Sequence, residues 1–117
     1  MKVTIQLTKA LEAIERAIGA AYKIHELLTS VDKSRLSIET REVLSNDIVI
    51  SNYIMYIMRK IKDTLLTANT DQAARRLSKY RRRLAENSSS VKPVGHACEV
   101  CVEVIDEILY THFGVAC

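Results

Sequence analysis

Apolar side chains recur at steps of three and four along the first part of the chain, a spacing that places them on one side of an α-helix. The pattern predicts a helix over residues 4–29, with Lys9, Arg16 and Lys23 on the opposite side, facing water. Gly19 lies in the middle of this helix, and we expect it to let another helix approach closely. The inward stripe consists of Leu7, Leu11, Ile14, Ile18, Ala21, His25 and Leu28.

A polar run after Val31 ends this pattern, and Ser37 is a suitable N-cap for a second helix that has Glu39 in its first turn. The second helix is apolar over much of its circumference, so we expect it to be central or to face a second copy of the protein. The polar triplet 45–47 favours caps over helix interiors, and the sequence leaves open whether it divides the helix. The stripe of this helix is Ile50, Ile54, Ile57, Ile61 and Leu65, extended by Val49, Tyr53, Met55, Tyr56 and Met58.

Two shorter helices are predicted in the second half of the chain. Asn69 or Thr70 caps the third helix, and the polar linker 87–93 separates it from the fourth because Pro93 stops a helix. Gly114 is expected to end the fourth helix. The inner positions are Ala73, Leu77, Tyr80 and Leu84 in the third helix, and Cys98, Cys101 or Val102, Ile105, Ile108 or Leu109, and His112 in the fourth.

The composition fits a single helical domain. The chain has 117 residues, 48% hydrophobic and 26% charged, and its three glycines and one proline are too few for the turns of a sheet. We therefore predict an all-α fold, a compact antiparallel bundle of four helices with a short and basic third helix. A single domain over residues 1–117 is expected for a chain of this size.

The sequence also bears on location. No stretch is apolar over the roughly 18 to 20 residues that span a bilayer, and the first residues lack the basic and apolar regions of a secretory signal. Cys98, Cys101 and Cys117 are odd in number and lack the spacing of a disulfide scaffold, which favours a reducing compartment. We expect a cytoplasmic protein that makes no contact with a membrane.

The strongest functional signal is a run of six cations in the nine residues 75–83, with no acidic residue between Asp71 and Glu86. Guanidinium groups match phosphate oxygens, and clustered cations gain affinity by releasing counterions from a nucleic-acid backbone. Tyr80 within the run is able to stack on a base, but its place on the apolar stripe favours the core. We predict that the run binds the backbone of RNA or DNA without reading its sequence. The residues assigned to this contact are Arg75, Arg76, Lys79, Arg82 and Arg83.

The alternative is that the third helix forms salt bridges to the fourth, and that the protein is an interaction or oligomerisation bundle. The fourth helix has no lysine or arginine, and its acidic residues are Glu99, Glu103, Asp106 and Glu107. However, six cations on one helix outnumber these four acids and point over too wide an arc to meet one acidic stripe. In both interpretations the partners are macromolecules, and the protein is a homo- or hetero-oligomer.

Cys98 and Cys101 form a CxxC pair with His96 close by, which invites a redox or a metal interpretation. The chain lacks the βαβ setting of thioredoxin-type redox sites, and one CxxC pair supplies two of the four ligands that structural zinc needs. His96 would be a third ligand. His112 is too far away to be the fourth, because it lies about 16 Å beyond Cys101 along a continuous helix. Because both cysteines fall on the inner side, we interpret them as buried thiols and predict no metal or cofactor.

Nothing in the sequence predicts catalysis. His25 falls on the inward stripe of the first helix, where a histidine is more often a hydrogen-bonded core residue than a base or a ligand. The chain has no glycine-rich phosphate loop, nucleophile elbow or HExxH pattern. We therefore predict a protein that is not an enzyme and has no small-molecule substrate.

Overall fold

The computed structural model of the chain describes residues 2–88 and 93–115, with side chains from residue 5 onwards. Within these ranges the chain forms four α-helices and a short 3-10 helix and contains no strand, so the all-helical class is confirmed. None of the helices described combines the length and the apolar character needed to cross a membrane. The elements are α1 (Lys2–Thr29), the 3-10 helix (Lys33–Arg35), α2 (Ile38–Leu66), α3 (Thr70–Asn87) and α4 (Val94–Phe113).

The connection between α1 and α2 is held by short-range hydrogen bonds. The Asp32 carboxylate accepts from the backbone N–H of Ser34 at 3.0 Å and from its hydroxyl at 2.7 Å, and these bonds lower the pKa of Asp32. Ser37 is the N-cap of α2, as predicted, because its hydroxyl oxygen accepts from the backbone N–H of Thr40 at 3.2 Å. Both caps satisfy amide groups that a helix start leaves without a partner.

Two further helix ends depend on single residues, Asn69 and Gly114. Asn69, rather than Thr70, caps α3 in a capping box with Gln72, the two hydrogen bonds measuring 2.9 and 3.0 Å. Gly114 ends α4 as predicted, at a φ of 67°, in the left-handed region that glycine adopts without strain. The triplet 45–47 does not divide α2, because all three side chains are exposed and remain solvated while the backbone stays helical.

One cluster of buried side chains joins all four helices. Apart from Ala10 of α1, the buried members of the cluster come from the stripes that the periodicity predicts. Burying each large aliphatic side chain contributes about 1.5 to 3 kcal/mol. The packing of the four helices around this cluster makes the molecule a helical bundle. The largest side chains that are fully buried are Ile14, Met58, Ile61, Leu65, Leu77, Cys101, Ile105 and Leu109.

The prediction that Gly19 brings two helices together is wrong. Gly19 is exposed, and a Cβ atom added to it would meet no atom within 4 Å. Its position explains this, because five residues after the fully buried Ile14 the helix has turned roughly 140° away from the core. α1 packs instead through the opposite face, where Ala10, Ile14 and Ala21 are buried.

The bundle is longer and thinner than the compact shape predicted. Its extents are 55 × 26 × 20 Å and its radius of gyration is 15.9 Å, against about 13.4 Å for a typical globular chain of this length. α1 and α2 contain 28 and 29 residues, whereas α3 and α4 contain 18 and 20. The two shorter helices therefore cover only part of the longer pair, and Leu27 and Ile38 near the α1–α2 connection are 69% and 80% exposed.

Candidate nucleic-acid interface

The first part of the candidate interface is a row of cations on α3, here called the outer row, formed by Arg75, Lys79 and Arg82. They follow one another at steps of four and three, which places them on one face of the helix, and all three are exposed. Arg75 donates from Nε to the carbonyl oxygen of Asp71 at 3.4 Å. In the part of the chain that the structure describes, none of the three forms a salt bridge. The outer row thus presents three positive charges to water over roughly 10 Å of helix.

The second part is a parallel row on the side of α3 that faces α2, here called the inner row: Arg76, Tyr80 and Arg83. Arg76 is half-buried, and one of its terminal nitrogens donates to the carbonyl oxygen of Thr64 at 2.7 Å and to the hydroxyl of Thr67 at 3.4 Å. Arg76 therefore satisfies a carbonyl group at the end of α2, a structural role that the sequence does not reveal. Arg83, seven residues further on, is exposed.

The sixth cation of α3 has a different environment. The guanidinium of Arg81 faces α4, with Nε 2.6 Å from Oδ1 of Asp106 and a terminal nitrogen 3.4 Å from Oδ2. Such two-point contacts hold both groups in a defined orientation. Among the described residues Arg81 is the only cation of α3 paired with an acid of α4. The sequence-based prediction does not include Arg81 in the interface. None of the five cations that it does include forms a salt bridge with an acidic side chain of residues 5–88 or 93–115.

The CxxC pair lies in the core. Cys98 and Cys101 are buried free thiols, and burial raises the pKa of both, that of Cys101 to about 12. His96 is exposed, and its Nδ1 lies 3.9 Å from the Glu99 carboxylate on the solvent side of α4. Within residues 2–88 and 93–115, no three histidine, cysteine or acidic side chains lie close enough to hold a metal ion, and Cys117 falls outside these ranges. The burial of both thiols is confirmed, so these side chains contribute to packing.

His25 is hydrogen-bonded, as predicted, but it is partly buried rather than part of the core. Its Nδ1 lies 3.1 Å from the hydroxyl oxygen of Ser51, which is buried. That hydroxyl donates to the carbonyl oxygen of Ile48 at 2.9 Å. Because a hydroxyl has a single hydrogen, Nδ1 of His25 donates the bond between the two side chains. The histidine thus links α1 to α2.

The third part of the candidate interface is a shallow groove of about 730 Å³ along the outer side of α2. The rings of Tyr53 and Tyr56 meet edge to face there, with centroids 6.1 Å apart and planes inclined at 70°. Nζ of Lys60 lies 4.8 Å from the centroid of the Tyr56 ring, and a hydrogen bond with Tyr56 raises the pKa of Lys60. The sequence assigns these tyrosines to the apolar surface of α2, which it predicts to be buried or to face a second copy of the protein. The groove is lined by Val49, Asn52, Tyr53, Tyr56, Arg59, Lys60 and Asp63.

No protein family, curated protein or solved structure matches this chain.

Proposed function

We propose that this protein is a non-enzymatic subunit of a nucleoprotein assembly, and that α3 binds the phosphate backbone of RNA or DNA. The observation that carries the proposal is the outer row, in which Arg75, Lys79 and Arg82 are exposed and form no salt bridge with any described residue. Three unneutralised charges on one face attract a polyanion and release its condensed counterions. Arg76 and Arg83 extend the positive surface beside them.

The second element of the proposal is binding without sequence specificity. Contacts to phosphate fix the position and orientation of a strand but do not read its bases. The pair between Arg81 and Asp106 supports this role, because it holds α3 against α4 while the outer row faces away from the bundle. We infer no cofactor, small-molecule substrate or membrane contact.

The arrangement of the helices belongs to the same proposal, an antiparallel bundle whose basic helix is α3. Glu15 of α1 forms an ion pair with Lys62 of α2. Further along α1, His25 contacts Ser51, which comes earlier in α2. Later positions of α1 thus meet earlier positions of α2, which supports opposite directions for the two helices. The two free thiols of α4 support a reducing, cytoplasmic location.

The test is a binding assay on a variant that lacks the outer row. Arg75→Gln, Lys79→Gln and Arg82→Gln are combined, since glutamine removes the charge and retains helix propensity. Binding to a fluorescein-labelled single-stranded RNA and to a labelled duplex DNA is measured by fluorescence anisotropy. Loss of three phosphate contacts is expected to weaken binding roughly 100-fold at 100 mM salt.

The matched control removes three exposed cations from the outer side of α1. Lys9→Gln, Arg16→Gln and Lys23→Gln cause the same change in net charge at exposed positions of a different helix. Because only the overall charge changes, affinity is expected to fall less than about threefold. Circular dichroism checks that both variants keep their helical content. Equal weakening by the two triple variants, or no binding by the wild-type protein, would reject the proposal.

A second candidate function is self-assembly through the end of the bundle that contains the α1–α2 connection. Leu27 and Ile38 are exposed there, and neighbouring Ile24 and Val43 are also more than half exposed. Large apolar side chains concentrated at one end of a protein mark an interface with another protein. Multi-angle light scattering is expected to show a wild-type oligomer that Leu27→Glu dissociates. A wild-type protein that is monomeric at high concentration would reject this second function.

A further inference from the structure

A continuous series of contacts joins the basic helix α3 to the tyrosines of α2. Arg76 donates to the carbonyl oxygen of Thr64 at 2.7 Å, and the Thr64 hydroxyl lies 3.3 Å from the hydroxyl of Tyr80. The Thr64 hydroxyl also donates to the carbonyl oxygen of Lys60, one turn earlier in α2, at 3.0 Å, and Nζ of Lys60 lies 4.8 Å from the centroid of the Tyr56 ring. Cations and aromatic rings therefore alternate across the boundary between the two helices.

The aromatic rings at the far end of this series are accessible. Tyr56 is 53% exposed and Tyr53 is 38% exposed. Their edge-to-face contact covers at most one ring face, and Nζ of Lys60 lies over one face of Tyr56, so at least two of the four ring faces remain for another planar group. The groove that contains them has a volume of about 730 Å³, and its one acidic residue, Asp63, lies beside the cations Arg59 and Lys60.

Aromatic rings next to cations are the combination by which many proteins bind single-stranded nucleic acids. A strand without a partner exposes the faces of its bases, which stack on aromatic side chains, while its phosphates bind nearby cations. In a duplex the bases stack on one another in the interior and do not reach such a surface. An interface between proteins would not need a cation at each step of the series.

We propose that Tyr53 and Tyr56 are stacking platforms for unpaired bases and that the ligand of this protein is single-stranded nucleic acid, an inference that rests on the proposed function of α3. The cations of α3 hold the phosphates, and the strand continues over Tyr80 and Lys60 to the groove on α2. The ligand class is thereby narrowed from any polyanionic backbone to a strand with free bases. The protein binds such a strand more tightly than a duplex of equal length.

The first experiment uses Tyr56→Trp as a fluorescent reporter. The chain contains no tryptophan, so the variant has one, and it lies at the proposed platform. Titration with a 12-nucleotide oligo(dT) is expected to quench the tryptophan emission, because a base stacks on the indole. A 12-base-pair duplex at equal phosphate concentration is expected to leave the emission unchanged. Quenching by both probes, or by neither while anisotropy shows that oligo(dT) binds, would overturn the inference.

The second experiment compares two double variants. Tyr53→Leu with Tyr56→Leu keeps apolar side chains but removes the rings, and it is expected to weaken oligo(dT) binding about 5- to 150-fold for each base that stacks. Binding to the duplex is expected to stay within about twofold of the wild type. Tyr53→Phe with Tyr56→Phe retains the rings and is expected to retain the affinity. Tyr110→Leu is the matched control, because Tyr110 is 72% exposed on α4, and it is expected to have no effect.

The outcomes separate this inference from the function on which it rests. If the wild type binds strand and duplex equally and the leucine pair changes neither affinity, the stacking platforms are rejected and the backbone-binding role of α3 stands. If the wild type binds neither probe, both proposals are rejected. If the leucine pair dissociates a wild-type oligomer without changing oligo(dT) affinity, Tyr53 and Tyr56 belong to an interface between copies and the inference is overturned.

Discussion

Replacement of Gly19 by alanine is expected to stabilise the protein. Gly19 lies within α1, it is exposed, and an added Cβ atom meets no atom within 4 Å. The new methyl group therefore costs nothing in packing. Alanine has a higher helix propensity than glycine and leaves the unfolded chain with less conformational freedom to lose. Together these effects raise the free energy of unfolding by about 0.5 to 1 kcal/mol.

This gain is large enough to measure by thermal denaturation. The unfolding entropy of about 2.1 cal/mol/K per residue gives roughly 0.25 kcal/mol/K for a chain of 117 residues. A gain of about 1 kcal/mol therefore raises Tm by about 4 °C. Circular dichroism at 222 nm follows the helical signal during heating. Urea unfolding is expected to show a higher midpoint with an unchanged slope.

A glycine-to-alanine substitution at the end of α4 is the control, because it is expected to change Tm in the opposite direction. Gly114 has a φ of 67°, and a Cβ atom in the left-handed region costs about 1 to 2 kcal/mol. Gly114→Ala should therefore lower Tm while Gly19→Ala raises it. If Gly19→Ala lowers Tm, the exposed side of α1 is in contact with another molecule or element, and the reasoning from its open surroundings is refuted.

Three further predictions concern packing and electrostatics. Arg81→Ala should lower the free energy of unfolding by no more than about 1 kcal/mol, because the side chains of Arg81 and Asp106 both remain about a third exposed to water. A double-mutant cycle with Asp106→Asn measures the coupling energy of the pair, and a coupling energy above about 2 kcal/mol would contradict this prediction. Asn69→Ala removes the cap of α3 and should cost about 1 kcal/mol in urea unfolding, so an unchanged midpoint would show that the capping box contributes nothing. Burial raises the pKa of Cys101 from 9.0 to about 12, so the folded state retains a proton that the unfolded thiol releases, and stability should fall as pH rises from 9 towards 12. The free energy of unfolding, measured in urea at each pH, should depend less on pH in the double variant Cys98→Ala with Cys101→Ala than in the wild type. The same pH dependence in both proteins would contradict the raised pKa of Cys101.

The helix ends show what the sequence predicts well. Ser37 and Gly114 act on backbone groups within a few residues of themselves, so their roles follow from local chemistry alone. The hydrogen bond from Arg76 to Thr64 is different, because it depends on how the short connection directs α3 along α2. Periodicity gives the face of a helix but not the angle at which it meets its neighbour.

The outer side of α2 shows where prediction from periodicity stops. An apolar pattern over most of a helix predicts burial on most sides. Tyr53 and Tyr56 nevertheless remain in contact with water, because the neighbouring helices cover only part of α2. The pairing of Arg81 with Asp106 likewise depends on the register between α3 and α4, which neither segment specifies by itself.

The central claim is that α3 carries positive charge that its own molecule does not neutralise, and its most direct test is the salt dependence of nucleic-acid binding. The affinity for a labelled single strand is measured by anisotropy at a series of salt concentrations. Each phosphate contact adds about −0.7 to the slope of log K against log salt, so the three cations of the outer row predict a slope of about −2 or steeper. In the glutamine variant of Arg75, Lys79 and Arg82 that slope should become shallower by about 2. Binding that does not depend on salt, or a slope that the variant leaves unchanged, would contradict the claim.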